Sequence, residues 1–395
     1  MGIHPDSTTM TRNTCCTFST ANLLHNLKVI KNQAPGARIM AMVKANAYGH
    51  GLVQVSKRLE GHVDALGVAS IHEAMELYQA GIKTPITLIE GVFEPDELLL
   101  ASLYGFSVVF HDVDQITWLE EKKLPYPLYA WLKIDTGMDR LGFSTNDETD
   151  RHGITAKQAM KRLLENPSID KENGVGIISH FACANIPDDP MNEIQIDVFC
   201  KFAQDYSDCE KSFCNSAAVF SFPDVHYQWI RPGLALFGVS PLMKKTADNL
   251  GLLPVMTFQS EIIAIHILKN GEPLGYYPQF TNDSGKEMKI AVVAAGYGDG
   301  YPVVLIHDKK NKPRVLVHTM DDSKKYLCPV IGEVMMDMIF IDISDCPKNT
   351  IKKRNTVTLW GKDLPIEELA ATSYSSSYAL LTDIHSRVRS EWMDG

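Results

Sequence analysis

The 395-residue sequence predicts an α/β fold: an eight-stranded (β/α)8 barrel of the TIM type followed by a mainly β C-terminal domain. Three observations carry that expectation. Eight short β-rich runs alternate with helix-sized segments over the first ~230 residues, which implies parallel strands with helices outside them. After Pro241 the texture changes to short β runs punctuated by Gly, Asn, Asp and Lys. The length also exceeds the size at which one hydrophobic core stops growing, so two domains are expected.

Taken in order, Ser19 and Thr20 suit a helix start, and Leu23, Leu24, Leu27 and Ile30 continue it until Pro35-Gly36. Barrel strands are expected near 38–43, 65–69, 86–89, 107–110, 128–134, 174–179, 211–214 and 229–231, with helical segments such as 52–59, 71–80, 96–103, 156–165 and 192–206 between them. The β half reads as runs at 255–267, 289–294, 314–317, 328–331, 338–343 and 356–360, with one helix at 366–371. The expected division is a tail at 1–16, a barrel at 17–242 and a β domain at 243–395.

Hydrophobic residues at 45% and charged residues at 22% match an ordinary globular protein, and a net charge of -10 argues against a nucleic-acid partner. No apolar run is long enough to span a membrane, and residues 1–12 lack the apolar core of a secretory signal, so a cytoplasmic protein is expected. The eight cysteines are scattered and read as free thiols. His180 and Cys183 stand three apart, but no second pair accompanies them and no metal site is expected.

Candidate functional residues cluster where the barrel strands end, the rim at which such folds place their chemistry. Lys44 follows the apolar run 38–43 and leads into Asn46, Tyr48 and His50, with Gly49 and Gly51 to turn the backbone. A lysine amine in a dry pocket gives up its proton readily and can form a Schiff base. Segment 133–142 (KIDTGMDRLG) closes the fifth strand and carries Arg140, a planar cation suited to a carboxylate. Ser179-His180 ends the sixth strand, and Ser216, after the seventh, is placed to meet a phosphate. Segment 230–238 (IRPGLALFG) ends the eighth; its Gly233 and Leu234 follow Arg231 where backbone can approach a phosphate closely.

These segments resemble those of the alanine racemases, and the resemblance runs from about residue 19 to about 390. It implies pyridoxal 5'-phosphate held by Lys44, with Tyr48, His180, Ser216, Arg231, Gly233, Leu234 and Tyr378 around it. It further implies that Arg231 faces the pyridine nitrogen, that Lys133 stands where the family often carries a carbamylated lysine paired with the arginine at Arg140, and that His180 supports the catalytic tyrosine. Segment 271–277 matches the stretch carrying that tyrosine, here Tyr276; the family has glycine where Tyr277 stands. Segment 295–301 (AGYGDGY) matches one whose tyrosine, here Tyr297, narrows the substrate's path. Segment 332–337 (GEVMMD) presents Met336 to the substrate carboxylate, with Glu333 in place of the usual arginine.

The expected activity is two-base interconversion of L- and D-alanine in a head-to-tail homodimer with shared sites, supplying D-alanine for peptidoglycan. Racemisation of serine as well, or a related pyridoxal-phosphate decarboxylase, are the alternatives.

Overall fold

A computed structural model describes residues 12–146, 153–172, 174–276, 280–306 and 312–394. The chain forms two compact units, Leu24–Leu252 and a second that joins Met1–Leu23 to Leu253–Gly395.

The first unit is the expected barrel. Its strands are β2 (Arg38–Met42), β3 (Ala65–Val68), β4 (Ile86–Leu88), β5 (Ser107–Phe110), β6 (Ala130–Asp135), β7 (Val175–Ile178), β8 (Lys211–Asn215) and β9 (Trp229–Arg231). Each pairs in parallel with the next, and β9 returns to β2 to close the ring. Helices α2 (Leu52–Leu59), α3 (Ile71–Gln79), α4 (Pro95–Tyr104), α5 (Val113–Glu121), α6 (Ala156–Glu165), α7 (Pro190–Gln204) and the short α8 (Ser216–Ser221) follow successive strands. Local chemistry starts several of them: Ser70 accepts from the Glu73 N–H, and Asp112 and Thr155 each form a capping box with a glutamine. The barrel interior is filled by Met40, Met42, Val109, Trp131, Ile178 and Trp229. Trp131 lies against Gly176, where any Cβ would collide with its ring.

The second unit is built on the 13-residue strand β10 (Met256–Leu268). It continues through β11 (Met288–Val293), β12 (Arg314–His318), β13 (Lys325–Ile331), β14 (Ile339–Asp342) and β15 (Thr356–Trp360). The pairing order β10-β11-β14-β13-β12-β15 returns to β10, so the sheet closes on itself and leaves few open edges.

Here one expectation is corrected. Cys15–Ser19, which straddle the expected boundary between tail (1–16) and barrel (17–242), form strand β1, which runs antiparallel to β10 and parallel to β16 (Arg389–Met393). Alternation explains it: Cys16 and Phe18 are buried while Cys15, Thr17 and Ser19 are not, the period of a half-buried strand. The barrel unit accordingly begins within helix α1 (Thr20–Gln33) and ends at Leu252. Among the described residues no helix is long and apolar enough to cross a membrane.

Candidate active site

The C-terminal ends of the barrel strands gather Lys44, His180, Ser216, Arg231 and Gly233, as the sequence led us to expect. Lys44 leaves β2 through an unusual turn. Ala45, Asn46, Ala47 and Tyr48 all adopt left-handed backbone, with φ of 53°, 55°, 52° and 52°, where a plain loop was expected. Such residues cost ~1–2 kcal/mol each for want of space around Cβ. The turn is held by Ala47 N–H donating to Val43 O (2.8 Å) and Gly49 N–H to Ala45 O (3.1 Å). Side chains pin it further: the Glu73 carboxylate accepts from the Ala45 N–H at 2.7 Å, and Asn46 Oδ1 from the Leu52 N–H at 2.8 Å. His50, stacked on Phe237 with ring centroids 4.3 Å apart, donates from Nδ1 to the Tyr48 carbonyl at 2.9 Å; burial lowers its pKa to about 4, so it stays neutral.

Lys44 itself does not sit alone in a dry pocket. Its side chain is one-third exposed, and Nζ lies 2.7 Å from the Glu90 carboxylate beyond β4. Sequence reading did not single out Glu90, because only barrel closure brings that loop beside Lys44.

Arg231 is the most deeply placed charge of the rim. At 4% exposure it donates to Ser212 Oγ (2.7 Å), to the carbonyls of Ser179 and Phe213, and lies 3.5 Å from His180 Nδ1. Among the described residues no carboxylate pairs with it. Burial lowers its pKa to about 10, which leaves it charged at neutral pH. His180 is pushed far below its ordinary value by burial first and then by the charges of Arg231, Lys133, Arg140 and Lys44, so it is a neutral imidazole. Gln195, fully buried, ties the neighbouring strand ends together by donating to Thr136 Oγ1 (2.9 Å) and the His180 carbonyl (3.0 Å).

Ser216 Oγ accepts from the backbone N–H groups of Gly233 (2.8 Å) and Ala235 (3.3 Å). A Cβ on Gly233 would strike the Tyr48 hydroxyl, so glycine is required by close approach. Leu234 follows as the first residue of a short 3₁₀ turn. Arg140 is exposed, on a loop folded by Asp135 Oδ1, which accepts from the N–H groups of Gly137, Met138 and Asp139.

Lys133 lies inside this ring of cations. Burial first, then Arg231 and Arg140, lower its pKa from 10.5 to about 7. The unfolded chain keeps the ordinary value, so between those two pH values it binds the extra proton, and the stability linked to this group rises with pH. In carbon-dioxide-free buffer the urea midpoint of the wild type should therefore gain on that of Lys133→Met as pH is raised from 7 to 10. A constant difference would exclude a depressed lysine.

The remaining candidates belong to the β unit. Tyr276 is 86% exposed, and Met336, Tyr297 and Tyr378 are 53%, 36% and 49% exposed. Tyr277 lies outside the described residues. An unforeseen knot orders two of these loops. Asp299, with no exposed surface, receives Arg12 on both carboxylate oxygens (2.7 Å each), Arg387 Nε (2.8 Å) and the Gly296 N–H (2.9 Å). Burial alone would raise its pKa, but these hydrogen bonds outweigh that and hold it below the ordinary value. Arg387 goes on to Asp337 (2.7 Å) and the Met336 carbonyl (3.1 Å), which also accepts from the Gly298 N–H at 2.9 Å. Arg12 lies 287 positions from Asp299, and Arg387 reaches Asp337 from 50 positions away, so no local pattern announces these pairs.

Comparison with known proteins matches residues 18–241 to the family described as alanine racemase, N-terminal domain, and 255–392 to alanine racemase, C-terminal domain. The chain belongs to the alanine racemase family. An alanine racemase of Legionella pneumophila (strain Paris) is 40% identical over 96% of this chain and 99% of its own. That of Mannheimia succiniciproducens is 37% identical over 95% and 98%. Among solved structures, the biosynthetic alanine racemase of Pseudomonas aeruginosa superposes with a TM-score of 0.88 at 32% identity, covering 97% of this chain and all of that one. The alanine racemase of Acinetobacter baumannii gives 0.85 at 35% identity over 97% and 100%. With alanine racemases so named on both sides, the decarboxylase alternative is not favoured.

Proposed function

We propose that this protein interconverts L- and D-alanine with pyridoxal 5'-phosphate, as a cytoplasmic head-to-tail homodimer that supplies D-alanine for peptidoglycan. The observation that carries the reading is a buried arginine, Arg231, with only neutral acceptors around it, on the rim that also holds Lys44. The donor set fits the cofactor. Ser216, Tyr48 and the backbone at Gly233 and Leu234 suit a phosphate, Tyr378 adds a hydroxyl, and Arg231 suits an unprotonated pyridine nitrogen. When bound, pyridoxal phosphate supplies the electron-withdrawing carrier that acidifies the α-C–H bond of alanine.

The protein's part is to move one proton on each face of that carbon. Lys44, which also anchors the cofactor, serves one face and Tyr276 the other. A free tyrosine has a pKa of about 10, so its phenolate needs support from the neutral His180 and, beyond it, Arg231. Arg231, charged at neutral pH, would face the pyridine nitrogen and so favour racemisation over transamination. Arg140 and the Met336 backbone bind the substrate carboxylate. Tyr297 and Tyr378 leave room for little beyond a methyl group, although serine, larger by one hydroxyl, would be rejected only weakly.

The reading is tested with the purified, cofactor-loaded protein. L-Alanine and D-alanine should each run to an equal mixture on chiral chromatography. Borohydride should fix the cofactor on Lys44, whose blocked side chain yields a tryptic peptide running past it to Lys57. Label on another lysine, or no racemisation after reconstitution, would sink the assignment.

A further inference from the structure

All eight cysteines are free. Among the described residues one pair is in sulfur–sulfur contact: Cys328 Sγ and Cys346 Sγ lie 3.6 Å apart, whereas Cys15 and Cys16 sit on opposite faces of β1. Cys328 is on β13, 2% exposed, and Cys346 follows β14, partly open to solvent. Strands β13 and β14 pair antiparallel, Val330 with Ile341 and Ile331 with Phe340, so the two thiols face each other at the base of the hairpin whose far end carries Met336. We propose that Cys328 and Cys346 are a reversible two-electron oxidation site for hydroperoxides, closing as a disulfide across the base of this hairpin.

The geometry divides the labour between the sulfurs. Cys346 is the one a reagent can reach, and its thiol is drawn below the ordinary range chiefly by its hydrogen bond with Cys328, so it is the readier thiolate. Cys328 is raised by the same contact and by burial, and it resolves the reaction from inside. In the first step the Cys346 thiolate attacks the peroxide oxygen and the O–O bond breaks. Cys346 becomes a sulfenic acid, and the departing alkoxide or hydroxide takes a proton to leave as alcohol or water. In the second, the Cys328 sulfur attacks the Cys346 sulfur, the S–O bond breaks, and the hydroxide leaves as water with the Cys328 proton. Two thiols thus lose two hydrogens and two electrons to one hydroperoxide. A dithiol reverses the change.

The sequence makes the test direct. No lysine or arginine lies between Lys325 and Lys348, so trypsin releases both cysteines on one peptide, residues 326–348. The cofactor-loaded wild type is treated with one equivalent of hydrogen peroxide, quenched, alkylated and digested. We expect this peptide to be lighter by two hydrogens, closed to alkylation until dithiothreitol is added, and split at Glu333 into two linked halves. In Cys328→Ser, dimedone should trap a sulfenic acid on Cys346; in Cys346→Ser, the peptide should stay unoxidised. Amides of β13 and β14 should exchange roughly tenfold more slowly in the oxidised wild type, because the cross-link restrains opening of the hairpin. The proposal is overturned if both cysteines of the wild-type peptide remain alkylatable while Cys15, Cys183, Cys200 or Cys209 is consumed, or if the product is a cross-link between chains. Unchanged exchange would overturn the restraint on the hairpin. The wild-type alkylation pattern decides the matter even if a serine variant fails to fold.

Discussion

Lys44→Ala and Tyr276→Phe should each lose nearly all alanine racemisation, and mixing the two inactive proteins under conditions that exchange subunits should restore roughly a quarter of wild-type activity per site. Loss of one positioned acid-base group costs on the order of 10²–10⁴ in rate, and Lys44 carries the added duty of anchoring the cofactor. The recovery follows from where the bases reside. Lys44 belongs to the barrel unit, and Tyr276, 86% exposed, belongs to the β unit, which supports its service in a partner's site. Random pairing makes about half of the dimers mixed, each with one doubly damaged site and one intact site. If both bases came from one chain, every site would keep a lesion. No recovery despite proven exchange, followed by light scattering and tagged subunits, would reject the shared site.

Arg231→Glu should cut racemisation by roughly 10²–10³ and make pyruvate accumulate from alanine, a product the wild type scarcely forms. A carboxylate at this depth would replace the positive charge facing the pyridine nitrogen, and the cofactor, when bound, would then supply transamination chemistry that keeps alanine's amino group and releases pyruvate. The change is severe for the fold as well, because it aims an anion at the carbonyls of Ser179 and Phe213 that the guanidinium now satisfies. Arg231→Gln keeps donors for Ser212 without the charge and serves as the second variant. Pyruvate is read by coupled lactate dehydrogenase. If both variants bind cofactor and neither raises pyruvate above the wild type, Arg231 does not govern the ring nitrogen.

The barrel was legible because each strand is a short buried run between helical repeats, and both features are local. The rim residues were legible for a similar reason, since they follow the strand ends directly. Three features were not. The left-handed turn after Lys44 contains no glycine between Ala45 and Tyr48; its cost is offset by the local contact of Asn46 with Leu52 and by Glu73, which reaches Ala45 only once β2 and β3 pair. The Lys44–Glu90 pair has the same origin. The third is the Asp299 knot with Arg12 and Arg387, which draws on both ends of the chain, as does β1 between β10 and β16.

Strand β1 has a consequence for how the protein is made. It leaves the ribosome some 240 residues before β10, and at about 5–20 residues per second it waits roughly ten seconds to most of a minute for its first partner. Its second partner, β16, emerges later still, more than 100 residues after β10. The barrel, Leu24–Leu252, is one uninterrupted stretch and can close while synthesis continues. During that interval Cys16 and Phe18, buried in the finished sheet, stand on an unpaired edge open to other nascent chains. A strand translated ahead of the whole barrel is therefore locked only after it, and the nascent chain needs shelter at β1 during that interval.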